Sequence, residues 1–270
     1  MEAISGFARI CAVILFPLSQ KQFLQSIGRI SPKYASRFDA GHFGWYHIGE
    51  EGFPMTKKET AQMAVELLKQ EYPDAICSLT YTRPHELLIA TRLAAQCTDV
   101  RVNIVCKDLY ARYPSVQAFA EADLTDVEEC IKSCGLYKTK AKDIIAMCRM
   151  IMEQYGGEVP DSLEELVKLP GIGRKTANLM MGDIFHKPAI VVDTHCIRLT
   201  NLLGLSEGKD PVKVENQLRP LLPPEESNDF CHRLVLHGRA VCVARRPQCD
   251  RCVLNVCCKH YQETYHPGSA

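Results

Sequence analysis

The chain has 270 residues, 46% hydrophobic and 24% charged, with 32 basic and 32 acidic side chains and so no formal net charge. That balance fits a globular protein of one large or two modest domains, and it provides no global basic field of the kind that announces a nucleic-acid partner. No apolar run is long enough to make a transmembrane helix, and seven of the fourteen cysteines (Cys97, Cys106, Cys130, Cys134, Cys148, Cys196 and Cys231) fall within helical patterns, as buried thiols of a reducing compartment do, rather than in a secreted disulfide framework.

Residues 1–54 lack a sustained period and end in the glycine-dense stretch "DAGHFGWYHIGEEGFPM", which runs up to Met55 and holds the only Trp. They are read as a poorly ordered extension, an artefact of an upstream start, with Met55 as the functional first residue. The apolar "ICAVILFPL" of residues 10–18 has no clear small-residue cleavage site after it, so it is not read as a secretory signal. From Thr56 the pattern becomes helical. "KKETAQMAVELLKQEY" predicts an amphipathic helix with Met63, Leu67 and Leu68 toward the core. "PHELLIATRLAAQCTD", residues 84–99, is apolar on nearly all sides and predicts a central buried helix. Further helices are expected at 100–112, 115–120, 124–133, 138–155, 161–168, 175–185, 194–204, 211–221 and 226–240, joined by short connections. The chain is all-α.

Ser162 and Glu165 have capping-box spacing and start a short helix that stops at Pro170. The helix after "LPGIGRK" is expected to bury Ala177, Met180, Met181 and Ile184. Gly171 and Gly173 therefore turn a helix-hairpin-helix. Such a turn is either a plain αα-hairpin or, with no side chain to block approach, a site where helix-end N–H groups meet a phosphate. Lys175 stands in the first turn of the second helix, where the macrodipole disfavours a cation. It is either a surface lysine reaching for water or phosphate, or an amine nucleophile for Schiff-base chemistry.

Eighteen residues later, "AIVVDTHCIRL" places Asp193 as an N-cap. A carboxylate held rigidly there could also stabilise positive charge on a sugar C1′ or help deprotonate the amine, with His195 in a minor role. Two basic strips, Lys138, Lys140 and Lys142, then Arg239, Arg245, Arg246 and Arg251, are either solvated faces or phosphate anchors. Cys242, Cys249, Cys252 and Cys258 follow C-x6-C-x2-C-x5-C, with Cys257 leaving one ambiguity of register. Four thiolates at this spacing suit tetrahedral zinc or an iron–sulfur cube equally.

Taken together, "LPGIGRKTAN", "VDTH" and the four-cysteine spacing closely resemble the endonuclease III family, and the resemblance runs from about Thr56 to about Glu263, including "PHELLIATRLAAQCTDV" and "IKSCGLYKTKAKDI". It implies two helical domains with the DNA groove between them: a six-helix domain over 77–187 containing the hairpin, and a cluster domain made of 55–76 and 188–270. It further implies a [4Fe-4S] cluster on the four cysteines, Lys175 as Schiff-base nucleophile, and Asp193 as the assisting carboxylate. Gln96 would fill the gap left in the duplex, with Leu136 as a wedge beside it, and Gly171, Gly173, Arg174 and His195 would contact DNA. The structural alternatives are a buried helix amide for Gln96 and a loop apolar residue for Leu136. The implied activity is a base-excision-repair DNA glycosylase with AP lyase activity, acting as a monomer on duplex DNA with an oxidised pyrimidine or an abasic site. The expected location is the cytoplasm, with the nucleoid. An adenine-mispair glycosylase is the alternative that lacks a lysine at position 175; a non-catalytic iron–sulfur DNA-binding protein would need neither Lys175 nor Asp193.

Overall fold

Side-chain caps punctuate the chain. Thr56, Thr98, Ser115, Asp123, Ser162, Asp193 and Asp210 each accept a hydrogen bond from an amide in the first turn that follows, satisfying donors that a helix start leaves over. The computed structural model describes residues 55–265, and among them every regular element is helical. The expectations for residues 1–54 fall outside the described residues.

The helices are α1 (Lys57–Glu71), α2 (Pro84–Ala94), α3 (Asp99–Arg112), α4 (Val116–Ala120), α5 (Leu124–Ile131) and α6 (Tyr137–Tyr155). Then follow α7 (Leu163–Leu166), α8 (Arg174–Asp183), α9 (Thr194–Leu202), α10 (Pro211–Leu218), α11 (Ser227–Ala240) and α12 (Lys259–Tyr265). Single 3-10 turns at Lys132–Cys134, Cys249–Arg251 and Asn255–Cys257 complete the elements used below. No helix among the described residues is long and apolar enough to cross a membrane.

α2 is the hub. Leu87, Leu88, Ile89, Ala90 and Leu93 are fully buried, and the helix packs against α3, α6 and α8. α6 also carries α4 and α5. A second packing group forms on α11, which takes α9 and, from the far end of the chain, α1. There Tyr72 Oη donates to His237 Nδ1 at 3.1 Å, and Lys69 pairs with Glu226. All described residues lie in one compact unit.

Three expectations are corrected and one is kept. The helix expected over 84–99 stops at Ala94, because Thr98 accepts from Arg101 N at 3.3 Å and starts α3; a threonine side chain competes for the amides a continuing helix would use. α1 is as expected: Leu68 is buried in the core with Thr60, Ala61, Ala64 and Val65, and Met63 and Leu67 pack half-buried against it. α8 buries Ala177, Asn178, Leu179, Met180 and Gly182, while Met181 and Ile184 are only half-buried. Gly182 belongs to the buried face because α11 is so close that a Cβ there would sit 2.2 Å from Asn228 Oδ1. The capping box at Ser162 is half made: Ser162 accepts from Glu165 N, but the Glu165 carboxylate takes Tyr155 Oη and Lys168 Nζ instead.

Leu88→Ala opens a cavity in the most enclosed helix and is expected to lower stability by about 2–5 kcal/mol, read from thermal or denaturant unfolding followed by far-UV circular dichroism.

Candidate nucleic-acid interface and cluster site

The turn between α7 and α8 is anchored by Leu169 and Ile172, both buried. Its two glycines serve different ends. Gly171 has φ +75°, and a Cβ there would meet Arg92 Nε at 2.7 Å and Asp143 Cβ at 3.0 Å; the protein's own packing requires it. Gly173 has open space where a Cβ would go, so approach from outside is unobstructed. No side chain caps α8, which leaves its first-turn amides as outward donors.

Arg174 is committed elsewhere. Its Nε and Nη2 donate to Glu215 Oε2 and Oε1 at 2.7 and 2.9 Å, and the same carboxylate accepts from Arg219 Nη2 at 2.6 Å and Asn178 Nδ2 at 3.1 Å. Burial alone would raise the Glu215 carboxyl, but Arg174, Arg219 and Asn178 together hold it below its ordinary value. The Arg174 side chain thus ties α8 to α10 while staying 39% exposed at the surface.

Lys175 is exposed and makes no hydrogen bond or ion pair with another described residue. Asp193 Oδ1 accepts from Cys196 N at 2.7 Å, capping α9 as its position implies. His195 links the two: its imidazole is pushed below its usual range by burial, with Asp193 opposing and Arg198, Arg239 and Lys175 adding to the shift. Lys175 and Asp193 therefore lie within electrostatic reach of one ring. Arg198 Nη2 donates to His195 Nδ1 at 3.3 Å, and Gly238 makes room, since a Cβ there would be 2.5 Å from Nδ1. Thr194, His195, Arg198, Gly238, Arg239, Val243 and Ala244 line the cleft that results.

Gln96 and Leu136 share a backbone property that the sequence pattern did not show. Gln96 has φ +57° and Leu136 φ +48°, a left-handed conformation that costs a non-glycine residue on the order of 1–3 kcal/mol and persists only when the surroundings impose it. Both are exposed, Leu136 to 57%. Gln96 is accordingly not a buried helix amide.

The basic strips are less free than their spacing suggested. Lys138 and Lys142 are exposed, but Lys140 is fully buried between them. Arg239 Nη2 donates to Asp99 Oδ2 at 3.3 Å and Arg251 Nη2 to Ala240 O at 3.4 Å, whereas Arg245 and Arg246 are exposed.

Cys242, Cys249, Cys252 and Cys258 line one cavity together with Leu202, Val241 and Tyr261. Cys257 does not; it is buried on the other side of its turn, with Sγ toward Leu254 O. Among the described residues no three His, Cys, Asp or Glu side chains converge tightly enough for a single metal ion. Four thiols around one cavity form a donor set that either tetrahedral zinc or an iron–sulfur cube could use. Donors face them: Arg198 Nη1 lies 3.5 Å from Cys242 Sγ and also donates to Cys242 O, and His237 Nε2 lies 3.2 Å from Cys252 Sγ. Burial pushes His237 down to about 4, so its ring is neutral at physiological pH, with Nδ1 accepting from Tyr72 and Nε2–H left to point at sulfur.

Comparison with known proteins agrees with this geometry. Residues 89–224 match the family of HhH-GPD superfamily base excision DNA repair proteins, and residues 242–256 match the iron-sulfur binding domain of endonuclease III, a match that ends before Cys258. Endonuclease III of Synechocystis sp. is 45% identical over 208 residues, 77% of this chain and 95% of that protein; endonuclease III of Bacillus subtilis is 41% identical over 215 residues, 79% and 98%. A solved structure of a trapped endonuclease III–DNA covalent intermediate with an estranged adenine superposes with a TM-score of 0.73 at 39% identity, covering 78% of this chain and 100% of that one. Fold and site together define a helix-hairpin-helix base-excision DNA-repair enzyme. The chain belongs to the endonuclease III family. It is a DNA glycosylase with AP lyase activity, binds DNA and carries a [4Fe-4S] cluster.

Glu215, Arg92, Asp143, Arg198 and His237 went unnoticed in the sequence. Each has at least one partner 15 or more positions away, an encounter that no short-range pattern marks. Because the folded Glu215 carboxyl sits below its ordinary 4.5, its contribution to stability is complete above that value and is lost as pH falls toward the folded one. Glu215→Gln is expected to flatten the acid limb of a stability–pH profile and to lower stability at pH 7, as measured by urea unfolding at successive pH values.

Proposed function

We propose that this protein removes oxidised pyrimidines from duplex DNA and then cuts the strand 3′ of the abasic site through a Schiff base on Lys175. The observation that carries the reading is the exposed, uncommitted amine of Lys175 in the first turn of α8, sharing an electrostatic neighbourhood with Asp193. Lys175 Nζ attacks C1′, the C1′–N bond breaks, and the base leaves with its electrons. The sugar ring opens to an iminium joining Nζ and C1′. Loss of a C2′ proton then expels the 3′ oxygen. Asp193, rigid in its cap, stabilises positive charge at C1′ and takes up the amine's proton.

The outward amides around Gly173, the backbone of Arg174 and the exposed Lys138, Lys142, Arg245 and Arg246 suit phosphate anchoring without sequence readout. Gln96 and Leu136 suit entry into the stack, which must open before the base is reachable, at a cost of a few kcal/mol. His195 shapes the wall beside Asp193. The packing groups centred on α2 and on α11 correspond to the two domains, 77–187 and 55–76 with 188–270, and DNA lies between them. Cys242, Cys249, Cys252 and Cys258 hold the cluster, which braces the loop carrying Arg245 and Arg246. The enzyme works as a monomer on damaged or abasic duplex DNA, in the cytoplasm with the nucleoid.

Borohydride trapping on a duplex with one thymine glycol tests the chemistry. Wild type is expected to give a covalent protein–DNA band, and Lys175→Gln none; a band of equal intensity from the variant would assign the imine to another amine. Cluster assignment is tested by visible absorbance. Cys257→Ala is expected to keep the brown chromophore and Cys258→Ala to lose it, the reverse result shifting the register by one.

A further inference from the structure

Lys140 is the one lysine buried among the described residues, at 0% exposure. Its Nζ donates to Leu93 O at 2.8 Å and to Cys134 O at 2.9 Å. No carboxylate pairs with it among the described residues. Taking a cation out of water without a counter-ion is costly, and an apolar side chain of similar length would avoid the cost. The two acceptors give the ammonium its place. Leu93 is the next-to-last residue of α2 and Cys134 the last of a 3-10 turn, so both carbonyls are helix-end acceptors at the negative end of a dipole. A charge-assisted hydrogen bond to each is stronger than a neutral one.

What these carbonyls precede matters more. Leu93 lies three residues before Gln96, and Cys134 two before Leu136, two of the three exposed non-glycine residues held in left-handed backbone among the described residues, the third being His186. One ammonium therefore clamps the roots of both turns. We propose that Lys140 is a positioning residue for base eversion: by bridging Leu93 O and Cys134 O it fixes the separation of the Gln96 and Leu136 turns, so that both enter the duplex together. The proposal rests on the reading that Gln96 and Leu136 enter the stack.

The test compares a step that needs eversion with one that does not. Lys140→Met removes both donations without leaving a buried charge. Base excision from a duplex carrying thymine glycol is expected to fall by about tenfold or more, as small displacements of positioning groups do, while cleavage at an abasic site in single-stranded DNA stays at the wild-type rate. Gln96→Ala/Leu136→Ala is expected to show the same selective loss, and adding Lys140→Met to it to cost little more, since coupled residues are non-additive. Normal duplex excision by Lys140→Met beside a defective Gln96→Ala/Leu136→Ala would overturn the role of Lys140 and leave the wedge reading intact. Normal excision by Gln96→Ala/Leu136→Ala would overturn both. Equal loss on duplex and single strand would make Lys140 merely structural. Should Lys140→Met fail to fold, Lys140→Gln, whose amide is one bond shorter than the lysine amine and uncharged, carries the same comparison.

Discussion

The seam between α2 and α6 holds the Gln96 and Leu136 turns in place, and polar groups fasten it. Lys140 on α6 grips the end of α2 at Leu93 O, and three residues on, Asp143 receives Arg92 Nε at 2.8 Å and Nη2 at 2.6 Å. Apolar packing tolerates slippage along a helix because it is non-directional; these contacts do not. Three surface features hang from the seam. The Gln96 turn leaves α2, the Leu136 turn leads into α6, and Gly171 of the hairpin lies directly over the Arg92–Asp143 pair, close enough that a methyl group would strike it.

The facing group of helices uses the same device with different residues. Glu215 gathers Arg174 and Arg219, binding the start of α8 to α10. Arg198 runs from the His195 ring to the carbonyl and sulfur of Cys242. His195 and the cysteine loop therefore share one guanidinium.

Much of this was legible in sequence because it is written over short distances. Caps, the Pro-Gly-Ile-Gly turn, the eighteen residues from Lys175 to Asp193 and the four-cysteine spacing are all local, and the described residues carry them where the pattern put them. What was not legible depends on encounters between distant segments. Lys140, flanked by Lys138 and Lys142, reads as one of a solvated trio; only the arrival of the α2 terminus and the Cys134 turn makes its position interior. Arg174 reads as a DNA contact, and no local pattern shows that its guanidinium also pairs with Glu215, 41 residues away. The break at Gln96 was hidden because apolarity continues through it, and a hydrophobic pattern does not report the sign of φ.

α1 packs on α11, with Lys69 reaching across 157 residues to Glu226 and Tyr72 across 165 to His237. During synthesis the first described helix to leave the ribosome thus has no docking surface until nearly the whole chain has followed. The α2–α6 group can close on itself much earlier, since its contacts span 47 and 51 residues. Vectorial folding is therefore ordered: the half with the Gln96 and Leu136 turns forms first, and α1, His237 and the cysteine loop come together last. Cluster insertion belongs to that closing stage, when the ring that faces Cys252 is finally held by a tyrosine made at the beginning.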